Sequence, residues 1–456
     1  MSDESRAIVQ ALQKVLVHRS QHPYPHVPTP ENCKKRASVA AVIRVRPAFA
    51  PVVAASGSVV DVENPSSSPP ATLEEFFSQE WVQQGDPELL FIKRAGRPGD
   101  RWSGHTALPG GKRDPEDADD LAAAIRETRE ETGLDLDTAG CLHAGNLPDR
   151  LVSTAWGKET LMVLCPYIFV LTSKTSPALQ PQPTEVAALH WVSLRALLSP
   201  TLRTREFVDI SSRMAKHVGP VIHKILRFTM GKMMFSAVRL VPSESVYASS
   251  IPGFIPIEGG DTLGTVSGWA QAPYGVPESS KSLAFQQPIL LWGLTLGVLA
   301  DLLDQLPPYN AVALWKYPTF TVPDLRFLVY LFTRKMRKDT ASLVSSGSWP
   351  NQTAVDSSTE ATASTAATVT EAEPIAAVTV APADNTDTAD ADRHRVGIGG
   401  LGVGSDPKHS MGKIMAGYYD KINVAIGVFL AYRALAAMGL GFYAYRFWQR
   451  RRGSLL

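Results

Sequence analysis

The sequence predicts an α/β/α sandwich built on a mixed β-sheet, and two features of the chain support this prediction. Runs of apolar and β-branched residues, typical of strands, occur at residues 38–47, 88–94, 161–171 and 185–194. A segment rich in Ala, Glu and Arg, which ends at residue 132, lies between the second and third runs and is typical of a helix. Strands around one such helix, with further helices outside, indicate a layered α/β domain.

Charge and cysteine content exclude several classes of protein. The chain has 456 residues, with 45 Lys and Arg against 44 Asp and Glu, so its net charge of +1 gives no sign of nucleic-acid binding. Its three cysteines are widely spaced and odd in number, which argues against a disulfide framework or a zinc site and favours a reducing compartment. The first ten residues lack the basic and apolar regions of a secretory signal, and their acids argue against a transit peptide.

The length allows one large domain or two small ones with tails. We expect an N-terminal extension, partly helical, over residues 1–34 and the main domain over residues 35–338, with insertions at about 48–71 and 200–281. Residues 339–412 are rich in Ser, Thr and Ala and poor in large apolar side chains, and we expect a disordered linker there.

Local patterns predict further elements. Thr72 to Glu75 offers a capping box for a short helix that carries Phe76, Phe77 and Trp81. Residues 235–241 could return one strand to the main sheet, and residues 288–307 read as a closing helix. Residues 320–338 form an apolar helix with a basic end, which would suit either packing or a membrane surface; we favour packing.

The C-terminal run at residues 422–445 is long and apolar enough to cross a bilayer, with Tyr443, Tyr445 and Trp448 placed as interfacial anchors. Arg433 opposes insertion by about 2.5–3.5 kcal/mol, which the surrounding apolar residues offset. We expect a single-pass anchor with the main domain in the cytoplasm, on a mitochondrial or peroxisomal membrane among others. A helix buried against the domain, or one of a membrane-embedded pair, is the alternative.

The acidic helix carries the strongest chemical signal. Glu127, Glu130 and Glu131 stand three and four residues apart, so they share one face and repel each other unless a cation lies against them. A solvated charged face is the simpler interpretation. Gly110 and Gly111 precede the helix and allow close approach of the backbone to an ion or phosphate, while Asp114 suits an N-cap and Gly133 a C-terminal cap.

Several carboxylates beside a glycine loop are hard oxygen ligands, and such ligands suit Mg²⁺ or Mn²⁺ rather than zinc. The chemistry that this donor set favours is metal-assisted attack of water on a phosphate.

The stretch from Gly111 to Leu134 resembles the Nudix box, which runs Gly, five residues, Glu, seven residues, and then Arg-Glu-apolar-any-Glu-Glu-any-Gly-apolar. Residues 126–134 read Arg-Glu-Thr-Arg-Glu-Glu-Thr-Gly-Leu, with Thr128 at the first apolar position. The first half has one extra residue, and its middle Glu is replaced by Asp117 or by Ala118. This resemblance implies the Nudix-type α/β/α sandwich.

The wording Pro-Gly-Gly-Lys-Arg-Asp-Pro at residues 109–115 is similar to the coenzyme A diphosphatase branch of that family. The branch's upstream signature, Arg-any-His-any-Gly, is only partly met. Gly104 is kept, Asp100 and Trp102 replace the Arg and the His, and Leu108 replaces a Phe.

The resemblance also implies roles for individual residues. Gly110 (through its carbonyl), Glu127, Glu130 and Glu131 would bind Mg²⁺ or Mn²⁺, and Arg126 would orient Glu127. The general base would be Glu127 or another carboxylate, and Glu185 resembles an outlying Glu that relatives place against the metals, although it suits a plain loop residue equally well.

Substrate recognition is less specific in the sequence. Arg94, Arg97 and Arg101 could bind phosphate oxygens, or form a solvated patch, and Trp102 and His105 could stack on a base or anchor a loop. The resemblance implies a small nucleotide substrate, coenzyme A or acyl-coenzyme A, cleaved to 3′,5′-ADP and a phosphopantetheine. Another nucleoside diphosphate such as ADP-ribose is one alternative, and a catalytically silent membrane scaffold is another, which the intact motif disfavours.

Overall fold

The structure is a computed structural model. It describes residues 3–48, 69–96, 102–153, 160–210, 224–248, 288–345 and 415–453, apart from positions 32, 34, 139, 176, 225, 227, 312, 313 and 416. The predicted insertion at 48–71 and the predicted linker at 339–412 lie almost entirely outside the described residues, as does much of 200–281.

The strands belong to two sheets. The main sheet contains β1 (Arg36–Arg46), β2 (Asp86–Arg94), β3 (Thr106–Ala107), β4 (Gly110–Lys112), β5 (Cys141–Asn146), β6 (Arg150–Ser153), β7 (Thr160–Leu171), β8 (Val186–Ser193) and β11 (Pro242–Tyr247). The smaller sheet contains β9 (Arg203–Val208), β10 (Met233–Arg239), β12 (Leu290–Trp292) and β13 (Thr319–Phe320).

The main sheet is mixed, as predicted. Its order is β11-β8-β2-β1-β7-β5, with β3 on β2, β4 on β1 and β6 on β7. Within the described chain only the β1–β7 pair is parallel. The central strand β1 is buried along both faces, which is why its sequence reads as a continuous apolar run rather than an alternating one. All four predicted strands are confirmed to within two residues at each end.

Helices cover both faces of this sheet, which confirms the predicted sandwich. The helices are α1 (Asp3–Gln21), α2 (Leu73–Ser78), α3 (Glu80–Gln83), α4 (Asp120–Thr132), α5 (Leu194–Leu198), α6 (Gly293–Leu303), α7 (Pro323–Ser345) and α8 (Tyr418–Gly453). The acidic helix α4 packs on one face through Ala124 and Ile125. The other face is covered by α1, α2, α5 and α6, whose apolar side chains share the larger core.

Two predictions about helix starts have different outcomes. The predicted cap of α2 by Thr72 is confirmed, because Thr72 Oγ1 accepts from the Glu75 amide at 3.1 Å. The Glu75 side chain accepts in return from the amide of Ala71, one residue before the N-cap, at 2.9 Å. The N-cap at Asp114 is wrong. Helix α4 is capped by Asp119, and the Asp117 carboxylate holds residues 114–117 in a turn by accepting from the Asp114 amide at 2.8 Å.

The strand expected to return to the main sheet at residues 235–241 does not do so. It is β10, which pairs with β9 on one edge and with β12 and β13 on the other. Both of its edges are hydrogen-bonded within the smaller sheet, so β10 has no free edge for the main sheet. The following strand β11 is the one that pairs in the main sheet, against β8. The predicted closing helix begins only at Gly293, since residues 290–292 are the strand β12.

Helix α8 divides into two halves by burial. Its first three turns pack into the larger core through Tyr418, Ile422 and Phe429, which are fully buried. From Leu435 to Trp448 its large apolar side chains are exposed, and Arg433 at the division donates to Asp324 of α7 at 2.7 Å. By length and composition alone, residues 418–450 could cross a membrane.

Candidate active site

The glycine loop of β4 lies against the acidic face of α4. The Gly110 amide donates to Glu131 Oε2 at 2.8 Å, and the Glu131 side chain is almost completely buried. A Cβ on Gly111 would collide with the Glu127 carboxylate, so only glycine leaves room for that side chain. The strand and the helix therefore fix two of the three predicted carboxylates beside the backbone of the loop.

Arg126 is bonded to three acidic side chains around this loop. Its guanidinium forms a fork with Asp117, at 2.8 Å from Nε and 2.9 Å from Nη2. It also lies 3.1 Å from Glu127 Oε1 and 3.1 Å from Glu130 Oε2. Of the two residues at the middle position of the motif, Asp117 is thus the one that bonds Arg126. The hydrogen bond from Arg126 lowers the pKa of Asp117 below its ordinary value.

Glu127, Glu131 and Glu185 lie within electrostatic range of each other. Burial is the main cause that raises the pKa of Glu131, to about 8, and the charges of Glu127 and Glu185 raise it further. Burial also raises the pKa of Glu127. The Glu185 amide donates to the Gln182 carbonyl at 3.0 Å and closes a turn. This turn brings Glu185 toward the two helical carboxylates.

Glu130 and Thr128 occupy different environments from that pair. The Glu130 side chain is 58% exposed and contacts Arg126 rather than the loop. Thr128 is buried at the first apolar position of the motif, because its hydroxyl donates to the Ala124 carbonyl at 2.7 Å within the helix. The departure from an apolar residue there leaves no polar group without a partner.

The donor set fits a hard divalent cation in its chemistry. All the candidate ligands are oxygens, and two buried carboxylates with raised pKa values gain most from a nearby positive charge. Within the residues that the structure describes, no three His, Cys, Asp or Glu side chains are already gathered at ligand spacing. The Gly110 amide faces Glu131, whereas the resemblance assigns a metal to the Gly110 carbonyl.

A cavity of about 380 Å³ opens beside the loop. It is lined by residues of β1, β3, β4 and α6, and Gly110 and Arg94 belong both to its wall and to the surroundings of Glu131. Its rings are Trp102, His105 and Trp292, of which the last two stand 4.8 Å apart between centroids. A mostly apolar cleft with a few polar groups is the usual form of a site for a small molecule.

The predicted substrate residues are placed unevenly. Arg94 lines the cavity, as do Trp102 and His105, whereas Arg97 and Arg101 lie outside the described residues. The sequence missed the wall supplied by Trp292 and Val298, which follow the motif by more than 150 residues. The Trp-Gly-any-Thr wording at residues 292–295, within the predicted closing helix, was the available signal.

Comparison with known proteins supports the family. A family model described as NUDIX domain matches residues 81–209. The uncharacterized protein C14C4.10c of Schizosaccharomyces pombe is 32% identical over 284 residues, which are 60% of this chain and 75% of that protein.

Two relatives with named activities match shorter stretches. The peroxisomal coenzyme A diphosphatase NUDT7 of Mus musculus is 30% identical over 134 residues, 27% of this chain and 48% of that protein. The mitochondrial coenzyme A diphosphatase NUDT8 of Homo sapiens is 49% identical over 51 residues, 11% of this chain and 22% of that protein. The chain thus spans about half of NUDT7 and less than a quarter of NUDT8.

The family model covers β2 to β9, which include the glycine loop and the acidic helix, whereas β1 and α6 lie outside it. The sandwich is the fold that the motif implied. The chain therefore belongs to the Nudix superfamily, as a hydrolase of diphosphate bonds.

Proposed function

We propose that this Nudix hydrolase cleaves the diphosphate of coenzyme A or of an acyl-coenzyme A. Water attacks one phosphorus, the P–O–P bond breaks, and the products are 3′,5′-ADP and (acyl-)4′-phosphopantetheine. The observation that carries the proposal is the contact of Gly110 and Gly111 with Glu131 and Glu127, directly beside a cavity with aromatic rings. The names of the two matched diphosphatases support the choice of substrate.

Nudix hydrolases generally use a divalent metal such as Mg²⁺ or Mn²⁺. We propose that Glu127, Glu130 and Glu131, with Gly110, hold it here; when bound, it would neutralise charge on the phosphate oxygens and acidify water. Arg126 positions Glu127 through the contact of 3.1 Å, and its fork with Asp117 keeps the guanidinium from turning away.

The general base must be a carboxylate that is ionised and able to reach the attacking water. Glu127 and Glu185 are the two candidates that the sequence named, and both lie beside Glu131 in the structure. Burial raises the pKa of Glu127, and the contact with Arg126 opposes part of that rise. We propose Glu127 as the base and Glu185 as a further carboxylate that contacts the metal.

Arg94 is the described arginine best placed to bind the substrate phosphates, since it lines the cavity next to Gly110. We propose the same role for Arg97 and Arg101 from their place in the sequence alone. Trp102 in place of the usual His leaves ADP-ribose as the competing substrate, and a parallel assay decides between the two.

We further propose that residues 35–338 form the catalytic unit, joined by a linker at 339–412 to an anchor in the membrane. The exposed apolar half of α8, from Leu435 to Trp448, supports this arrangement. Mitochondrial and peroxisomal membranes are the first to examine, because the two matched diphosphatases carry those names.

The experiment that tests the function uses the full-length chain in detergent with Mn²⁺ and a panel of coenzyme A, acyl-coenzyme A, ADP-ribose and NADH, with products identified by mass. Release of 3′,5′-ADP from coenzyme A, lost on chelation of the metal, is the expected result. Cleavage of ADP-ribose alone would keep the reaction and overturn the substrate. Absence of any turnover together with absence of Mn²⁺ binding would favour the scaffold.

A further inference from the structure

The cavity beside the carboxylates has a one-sided charge. Among the described residues, its lining contains Lys35, Arg36, Arg94 and Lys112 and no acidic residue, although the Arg36 guanidinium is bonded on the other face of β1. The rest of the lining is mostly apolar or aromatic. A ligand that fits such a cavity combines negative charge, which the basic groups attract, with a ring or apolar body, which the rest of the wall contacts.

Strand register places the two lysines together. Lys112 of β4 pairs with Ala37 of β1, and Gly110 pairs with Val39. Lys35 precedes Ala37 by two residues, so Lys35, Ala37 and Val39 lie on the same face of the strand. Lys112 is the diagonal neighbour of Lys35 across the β1–β4 pair. Lys112 therefore stands about 7 Å along β4 from Gly110, with Lys35 diagonally across from it on β1.

The two lysines are also the basic groups least engaged by the protein. Arg36 is bonded to Asp120 at 2.8 Å, and to the Val27 carbonyl at 3.0 Å, on the other face of β1. Lys112 has only an exposed contact with Asp114 at 3.7 Å, and Lys35 has no ion pair with any residue in the described parts of the chain. Their ammonium groups remain available to a phosphate.

The aromatic groups complete the site. His105 and Trp292 form one wall, Trp292 is held from behind by Phe235 at 5.6 Å, and Trp102 lines the same cavity. A planar base has the shape and the π-face to pack among these rings.

We propose that this cavity binds a 3′-phosphorylated adenosine, with the base among Trp102, His105 and Trp292 and the 3′-phosphate on Lys35 and Lys112. Lys35 and Lys112 are then specificity-determining residues that select coenzyme A over dephospho-coenzyme A. The inference rests on the proposed function, since the diphosphate must lie at Gly110 for the phosphate to reach the lysines.

The first test compares coenzyme A with dephospho-coenzyme A, which lacks only the 3′-phosphate, as substrates of the full-length enzyme. We expect Lys35→Ala to lower kcat/KM for coenzyme A by about tenfold and to leave kcat/KM for dephospho-coenzyme A unchanged. Lys112→Ala should likewise lower the ratio of kcat/KM for coenzyme A to kcat/KM for dephospho-coenzyme A. Lys35→Arg, which keeps the positive charge, should keep most of the wild-type ratio. Lys14→Ala, at an exposed lysine of α1 outside the cavity, is the matched control. Equal losses on both substrates would overturn the proposal.

The second test measures binding of the product without turnover. The wild-type chain should bind 3′,5′-ADP more tightly than 5′-AMP, and Lys35→Ala should remove most of that preference. Lysine-dependent preference in a chain that does not cleave coenzyme A would sustain this inference and contradict the proposed function. Cleavage of coenzyme A together with equal affinity for 3′,5′-ADP and 5′-AMP would contradict this inference alone. A Trp292→Leu variant whose activity falls only on long acyl-coenzyme A would also contradict it, because the ring would then contact the acyl chain and not the base.

Discussion

The carboxylate of Asp117 holds the Arg126 side chain in place. It accepts two hydrogen bonds from the guanidinium, and its side chain is only 6% exposed. Asp114 also approaches Arg126, but at 3.7 Å and with a side chain 48% exposed. The two carboxylates therefore offer a matched comparison of a buried fork with a loose surface contact.

Replacement of Asp117 by Asn should lower the free energy of unfolding by about 1–2 kcal/mol, because one of the two charge-assisted hydrogen bonds is lost. The kcat should also fall, since Arg126 is no longer constrained to hold Glu127. Urea denaturation and steady-state kinetics measure the two effects. Asp114→Asn, as the control, should change stability by less than about 0.5 kcal/mol. Equal effects of the two substitutions would show that the fork is not the important contact.

The same residue predicts a pH dependence. The folded-state pKa of Asp117 is lowered relative to its ordinary value of 3.8. Its contribution to stability is therefore complete above that value and is lost as the pH falls through the lowered folded-state pKa. The difference in unfolding free energy between the wild type and Asp117→Asn should be constant between about pH 5 and 7 and shrink below about pH 4. A difference that grows on acidification would contradict this assignment.

At the scale of elements, the loop of β4 separates two roles of adjacent glycines. A Cβ on Gly111 would meet the Glu127 carboxylate, which is the mobile end of a side chain. A Cβ on Gly110 would meet the Ser38 carbonyl and the Val39 backbone of β1, and Gly110 also has a φ of +141°.

We therefore expect Gly111→Ala to reduce kcat strongly while changing the melting temperature little, because Glu127 can move away at small cost to the fold. Gly110→Ala should instead lower the stability by more than about 2 kcal/mol, because neither backbone nor φ can adjust. Thermal unfolding and kinetics on the same preparations distinguish the two. A stable and active Gly110→Ala variant would show that the β1–β4 pairing is looser than described.

Helix α6, the far wall of the cavity, is fixed to the main sheet by a buried ion pair. Arg150 of β6 donates to Asp301 and, at 2.8 Å, to the Gly297 carbonyl, and both side chains are at most 3% exposed. Removing one partner leaves a buried charge, so Arg150→Met should destabilise the fold by about 3–5 kcal/mol. The double variant Arg150→Met with Asp301→Leu should recover much of that loss. Additive losses in a double-mutant cycle would contradict a direct pair.

The sequence predicted those features of the structure that depend on residues close together in the chain. Strand runs and the motif from Arg126 to Gly133 are local patterns, and the structure follows them. Long-range pairing is not encoded locally. The assignment of β10 to a second sheet depends on β9 and β12. The predicted cap of α4 was wrong at a local level, because Asp119 and not Asp114 accepts from the Ala122 amide, at 2.7 Å.

The candidate site shows the same limit. Glu127, Glu130 and Glu131 appear equivalent in the sequence, yet Glu131 is buried against Gly110 and Glu130 is exposed beside Arg126. That difference arises from the position of β4 relative to α4, which periodicity alone does not determine. The wall formed by Trp292 was beyond local reasoning for the same reason.

At the scale of the whole molecule, α8 links the folded body to the proposed membrane anchor. Its buried half, with Tyr418 and Phe429, belongs to the larger core, whereas residues beyond Arg433 contribute little to it. A chain ending at residue 434 should thus stay folded and active but lose co-sedimentation with lipid vesicles. A chain ending at residue 414 should be destabilised. If the chain that ends at residue 434 still binds vesicles, the anchor lies elsewhere.

The most direct measurement of the central claim is the rate at which the full-length chain releases 3′,5′-ADP from coenzyme A, in the wild type, in Glu127→Gln and in Glu116→Gln. Glu116 is an exposed carboxylate in the turn before α4 and serves as the control. We expect Glu127→Gln to lower the rate by at least about a hundredfold at unchanged stability, and Glu116→Gln to match the wild type. Equal rates in all three would contradict the assignment of diphosphate hydrolysis to this site.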